Sequence, residues 1–136
     1  MRNLMIHALL VGSFSVTLAC SNPLTPESIA GTYVATRFTY FGELTGDVLE
    51  AGGNLTLVLN ADGTTTGSMF VPGSLNAGMD FNVDMAGTFT LVKDSLSLVQ
   101  PALSYIPYLA WTVSANKIDG SGNISGVTIT VVLSRQ

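Results

Sequence analysis

From Ile29 onward, apolar and polar residues alternate with a period of two, and no stretch sustains the 3.6-residue period of an amphipathic helix. Ile29–Phe41 reads as a first strand, opening Ala30-Gly31-Thr32-Tyr33-Val34. Gly42–Gly53 reads as a loop carrying Glu43, Asp47 and Glu50. Asn54–Leu59 alternates cleanly, and Asn60-Ala61-Asp62-Gly63 then supplies a tight turn, because Asp caps backbone amides and Gly accepts a positive φ. Thr64–Val71 returns antiparallel. After a loop over Pro72–Met79, Asp80–Val92 is strand-like with a bend near Ala86-Gly87, and Lys93-Asp94 turns the chain into Ser95–Val99. Two prolines break the pattern over Gln100–Pro107, Tyr108–Ser114 forms the next strand around Trp111, and Asn116–Asn123 reads as turn-rich with a short strand around Ile118. Val127–Leu133 closes the chain. About eight strands at a spacing of roughly 8–12 residues predict an all-β domain. An eight-stranded antiparallel up-and-down barrel is the first expectation and a β-sandwich the alternative. A membrane-spanning barrel ranks last, since it needs strands of about 9–11 residues flanked by aromatic girdles.

The first nineteen residues follow a different rule. Arg2 is followed by an apolar stretch from Leu4 to Val11, broken at Gly12-Ser13 and resumed from Phe14 to Ala19. A membrane helix wants about 20 consecutive apolar residues. This shorter, broken run with a basic start and a small residue at its end reads as an export signal. Thr17-Leu18-Ala19-Cys20 resembles the lipobox of bacterial lipoproteins. The resemblance implies cleavage before Cys20, a diacylglycerol on its sulfur and a further acyl chain, such as palmitate, on its amine. Several acyl chains anchor firmly where one is marginal. Ser21 stands where Asp often signals inner-membrane retention, so the implied address is the outer membrane, facing the periplasm or the surface. Residues 1–19 are then the signal peptide, 20–28 a lipidated cysteine with a polar, proline-containing tether, and 29–136 the folded domain.

Cleavage changes the chemical inventory. The lone histidine, His7, leaves with the signal, as does Arg2. Four basic residues then face nine acidic ones, a formal charge of −5. Arg37, Lys93, Lys117 and Arg135 are scattered along the chain, which argues against a nucleic-acid partner, because phosphate backbones are met by clustered cations. Without an imidazole or a free thiol, acid–base relays, nucleophilic triads and a zinc site lack their usual groups. A lone cysteine also has no partner for an internal disulfide. The expectation is a protein that is not an enzyme, with no catalytic residues, metal or cofactor. Glu43, Asp47 and Glu50 share one loop, but solvated charges on an exposed connection explain them better than a sugar-hydrolysing carboxylate pair.

Two motifs invite chemistry and are better read as structure. Asp80-Phe81-Asn82-Val83-Asp84 has the alternating acids of a calcium loop. Met85 and Leu91 stand where such a loop needs Gly and Glu. On a strand the same spacing puts Asp80, Asn82 and Asp84 in water and Phe81, Val83 and Met85 on the apolar face. Gly120-Ser121-Gly122-Asn123-Ile124-Ser125-Gly126 is glycine-rich, but it misses the phosphate-loop spacing and reads as a turn.

Gly31-x-Tyr33 on the first strand and Arg135 after the last resemble the opening and closing motifs of lipocalin-like, calycin-type domains, with Tyr in place of Trp. The resemblance implies an up-and-down barrel closed by pairing its first and last strands. It also implies that Arg135 packs across the Tyr33 ring to plug one end, and that a cavity holds a small apolar ligand. Eight strands enclose either packed side chains or one small ligand. Leu55, Leu57 and Leu59, with Val127, Ile129, Val131 and Leu133, go far toward filling so small a barrel. Two functions follow: a membrane-anchored module binding a small apolar molecule, or a structural or protein-interaction module of the cell envelope with a packed core. A cavity above ~300 Å³ favours the first and a solid interior the second.

Overall fold

The computed structural model describes residues 22–102 and 104–136. Residues 1–19, read above as an export signal, and Cys20 lie outside the described residues. A short helix, α1 (Pro26–Ile29), leads into ten strand segments. They are β1 (Gly31–Gly42), β2 (Gly46–Asp47), β3 (Asn54–Leu59), β4 (Thr64–Val71), β5 (Phe81–Asp84), β6 (Gly87–Val92), β7 (Ser95–Val99), β8 (Ala110–Val113), β9 (Lys117–Ile124) and β10 (Val127–Arg135).

These ten segments occupy eight positions around a closed antiparallel barrel. β2 and β3 lie end to end along one edge of β1, at Thr39–Tyr40 and Gly31–Val34. β5 and β6 lie end to end along β4 in a single register, Ser68↔Asp84 and Thr65↔Gly87. The interruption falls at Met85-Ala86, at the expected bend. There the Met85 carbonyl, denied a regular ladder partner, accepts from the Thr65 hydroxyl (2.7 Å) and the Gln100 amide (3.1 Å). Closure comes from β1 against β10, from Tyr33↔Arg135 to Gly42↔Val127. The barrel thus has no free edge where the chain begins and ends.

Alternation decides what the barrel contains. Leu55, Leu57 and Leu59 of β3 and Ile129, Val131 and Leu133 of β10 are all buried. Thr66, Ser68, Ser95 and Ser97 face water. The apolar face is inside and the hydroxyl-rich face outside, opposite to a barrel immersed in lipid. On β1 the register shifts between Ala35 and Arg37, so the inward parity passes from Tyr33 to Phe38 and Tyr40. Such a bulge re-aims every side chain beyond it.

Three sequence readings need correction. Asn116–Asn123 is not turn-rich: Lys117–Ile124 is one continuous strand, and only Ser125 and Gly126, at φ 51° and 83°, turn the chain. Its inward positions are Ile118, Gly120, Gly122 and Ile124. The two glycines are small because the Trp111 ring and the Leu109 side chain lie over them. The Gly42–Gly53 loop carries β2 and then buries Val48 completely. The polar segment before Ile29 is not all tether: Pro26–Ile29 forms a helical turn. It is capped by Thr25, whose hydroxyl accepts from Ser28 N while the Ser28 hydroxyl accepts from Thr25 N. The Asn60–Gly63 turn is where the sequence puts it, with Gly63 at φ 86° and the Asp62 carboxylate accepting from Thr64 N (2.9 Å).

The two barrel ends differ. At one end the connections are short, between β3 and β4, β6 and β7, and β8 and β9, and α1 lies there. The other end carries the long connections between β4 and β5 and between β7 and β8. The first end is sealed and the second is a mouth.

Candidate functional site

Gly31, Tyr33 and Arg135 meet at the sealed end. Tyr33 points inward, fully buried, and its hydroxyl donates to the Ile29 carbonyl (2.7 Å), which ties the helical turn to the barrel. Arg135, directly opposite in register, is only partly buried. Its guanidinium donates to the carbonyls of Ser28 (3.1 Å), Ala115 (3.1 Å) and Ala30. Gly31 leaves room for it: a Cβ there would stand 2.8 Å from Arg135 Nε. The guanidinium therefore clamps two chain segments, the end of α1 and the turn before β9, through three carbonyls. Its charge still reaches the Tyr33 phenol, where it offsets part of the burial that raises that group's pKa.

At the mouth, a cavity of about 230 Å³ opens among strand ends and long connections. Val71 of β4, Phe81 of β5, Ile124 of β9, and Val127 and Ile129 of β10 line its walls, and Tyr40 of β1 lies deeper. Leu44 and Leu75 come from the connections, with Asn76 beside them. A Cβ on Gly46 would lie 2.5 Å from the Leu75 side chain, so Leu75 sits on the bare backbone of β2. Tyr105, from the connection between β7 and β8, completes the cup.

An aromatic file runs across this cup. Phe38 meets Tyr40 edge-on at 5.7 Å, Tyr40 meets Tyr105 edge-on at 6.1 Å, and Tyr105 lies nearly parallel to Phe81 at 6.3 Å. The hydroxyls of Tyr40 and Tyr105 hydrogen-bond to each other, and the Tyr105 hydroxyl also lies 3.7 Å from the Met69 sulfur. Burial pushes both phenols above their ordinary pKa. For Tyr40 the bond to Tyr105 works in the opposite direction, whereas for Tyr105 the neighbouring Tyr40 adds to the rise. Both stay protonated at neutral pH. The stability they contribute is intact below about pH 10 and is lost as pH rises through their folded pKa values. No charged side chain is among the cup's lining residues.

Below the cup the barrel is filled by Leu55, Leu57, Phe38, Trp111 and their neighbours, and no buried side-chain polar atom among the described residues lacks a partner. A wider groove of about 520 Å³ lies outside the wall along β1, β2 and β10, beside Arg37, Phe41, Asp47 and Thr130. Phe41 is 72% exposed there.

Three of the acidic residues singled out in the sequence, Asp47, Asp80 and Asp84, serve backbone turns. Asp47 accepts from Leu49 N (2.8 Å) and Glu50 N (3.1 Å), Asp80 from Gly73 N (2.8 Å), and Asp84 from Ala86 N (2.9 Å). Among the described residues no three His, Cys, Asp or Glu side chains gather as a metal site would require. Asn82 and Asp84 face water while Val83 and Met85 are buried, the distribution expected of a strand. Sequence reasoning missed Tyr40 and Tyr105. Tyr40 lies beyond the bulge that switches the parity of β1, and Tyr105 lies in a segment without period, between two prolines. No family model, curated protein or solved structure matches the chain.

Proposed function

We propose that this chain is a membrane-anchored, non-catalytic lipoprotein whose lipocalin-like barrel holds a small apolar molecule in the cup at its mouth. The observation that carries the reading is the uncharged, aromatic-lined cavity of about 230 Å³ at the one end of the barrel that is not sealed. The cavity falls short of the ~300 Å³ set above for the ligand-binding function, a size that suits drug-sized ligands, but a dry cavity of about 150 Å³ suffices for benzene. The size therefore selects a ligand of one or two rings, or the end of an acyl chain. The described chain enters at the sealed end, through α1. A lipid on Cys20 would then hold that end toward the membrane and present the cup away from it.

A titration with cumene (isopropylbenzene) tests the reading. At ten times its Kd it stabilises a protein that binds it only when folded by about 1.4 kcal/mol, a rise in Tm of roughly 5 °C for a domain of this size. Val127→Trp fills the cup and removes that rise; an unchanged Tm in the wild type would overturn the proposal. Anchoring is tested separately: Cys20→Ser moves the protein from the membrane fraction to the soluble fraction, and continued sedimentation with membranes contradicts the lipobox reading.

The packed interior below the cup supports a second reading, an envelope interaction module. On that reading the Phe41 groove and the connection from Gly42 to Gly53 meet a protein partner. Cumene then leaves the Tm unchanged, while Phe41→Ala weakens association.

A further inference from the structure

The polar atoms of the cup narrow the class of ligand it takes. Its walls are aliphatic and aromatic apart from Asn76, whose amide donates to the Met79 carbonyl (2.8 Å), and its tyrosines supply a coupled pair of hydroxyls. A phenol has one proton to give. If Tyr40 donates to Tyr105, the Tyr105 proton faces the Met69 sulfur; if Tyr105 donates to Tyr40, the Tyr40 proton is the one left over. In both arrangements one phenolic proton lacks a strong acceptor, because a thioether sulfur is a weak one. A ligand oxygen reaching the pair exchanges that contact for a full O–H···O bond.

Charge sets the second limit. The four cations of the mature chain lie elsewhere. Arg37 lines the outer groove, Arg135 is bound at the sealed end, Lys117 pairs with Asp119 at 2.9 Å, and Lys93 occupies the turn between β6 and β7. A carboxylate or phosphate entering the cup would lose water and find no counter-ion, a heavy penalty in apolar surroundings. The rings of Phe81 and Tyr105, nearly parallel, and of Tyr40, edge-on, favour a flat partner.

We infer that the cup selects small, uncharged aromatic or cyclic molecules carrying one hydrogen-bond-accepting oxygen, which the Tyr40–Tyr105 hydroxyl pair recognises. This rests on the reading of the cup as a ligand site. Burial keeps both phenols protonated, so the donor is present throughout the neutral range.

Three ligands of similar size separate the possibilities: acetophenone (neutral, with a carbonyl), cumene (nearly the same shape, with no oxygen) and benzoate (charged). Affinities are read by calorimetry and by ligand-observed NMR on the wild type, Tyr105→Phe and Tyr40→Phe. The wild type prefers acetophenone to cumene by roughly 3- to 10-fold, the worth of one net hydrogen bond. Benzoate at pH 7.5 binds at least tenfold more weakly than acetophenone. Tyr105→Phe and Tyr40→Phe each leave one phenolic proton and keep part of the preference, and combining the two substitutions removes it, a change in the acetophenone-to-cumene ratio that loss of folding cannot produce. Equal wild-type affinity for acetophenone and cumene overturns the inference and leaves the apolar cup standing, and tight benzoate binding overturns the charge argument. If none of the three binds the wild type, the ligand-site reading fails and the inference falls with it. The wild-type comparison decides the matter even if both Phe variants fail to fold.

Discussion

Gly120→Val is expected to lower the stability of the domain by about 3 kcal/mol, the upper range for overpacking a core. A Cβ at this position would enter the Trp111 ring, overlapping three of its carbons. The ring has nowhere to go: it is 98% buried, and its indole N–H is held by the Ile106 carbonyl at 2.9 Å. The backbone of Gly120 is equally fixed, paired with Trp111 on β8 and Val131 on β10. Gly122→Ala is the control. Its Cβ would stand 3.1 Å from a terminal methyl of Leu109, which can rotate aside, so the cost stays below about 1 kcal/mol. Urea unfolding of the two variants measures the contrast. In a Trp111→Leu background the Gly120→Val penalty shrinks, because the clashing ring is gone. Equal stability of Gly120→Val and wild type would show that Trp111 does not lie over β9.

Arg135→Ala is expected to cost about 2–3 kcal/mol, a share of the roughly 1.5–3 kcal/mol that a hydrogen bond to a charged group contributes, summed over three partly exposed bonds. The guanidinium joins Ser28 and Ala30, which bracket the end of α1, to Ala115 in the turn between β8 and β9. Its loss strands the Ala30 carbonyl and frees the helical turn that ends in the buried Ile29. Arg135→Lys restores only part of the stability, since one ammonium cannot span three carbonyls as a planar fork does. Hydrogen exchange supplies a second readout: the Ile29 amide, bonded to the Thr25 carbonyl, exchanges faster in Arg135→Ala, while the mouth-end ladder pair Tyr40↔Ile129 is unaffected. Wild-type stability in Arg135→Ala would remove the clamp.

Strands whose inward positions are large could be read from the sequence. Leu55-x-Leu57-x-Leu59 and Ile129-x-Val131-x-Leu133 announce their face by alternation, and Asn60–Gly63 announces its turn by chemistry. β9 could not be read in this way, because Gly120 and Gly122 occupy its inward positions. The bulk that completes them belongs to Trp111 and Leu109, on a different stretch of chain. Glycine therefore looked like a turn signal where it marks close packing. The sealed end was legible as a pairing of first and last strands, and Tyr33 and Arg135 do face each other in register. What the guanidinium touches was not legible, because its carbonyl partners are backbone groups that no side-chain pattern specifies. The cup was the least legible part. Its walls are ordinary strand ends, and its polar pair joins Tyr40 to Tyr105 across 65 residues of chain.

The central claim, that the mouth of this barrel is a ligand site, is tested most directly by methyl-labelled NMR of the domain titrated with acetophenone. The account predicts saturable shifts confined to Leu44, Val71, Leu75, Ile124, Val127 and Ile129, with Ile29, Leu59 and Leu133 at the sealed end unmoved. Shifts absent up to the solubility limit, or centred on methyls away from the mouth, would contradict it.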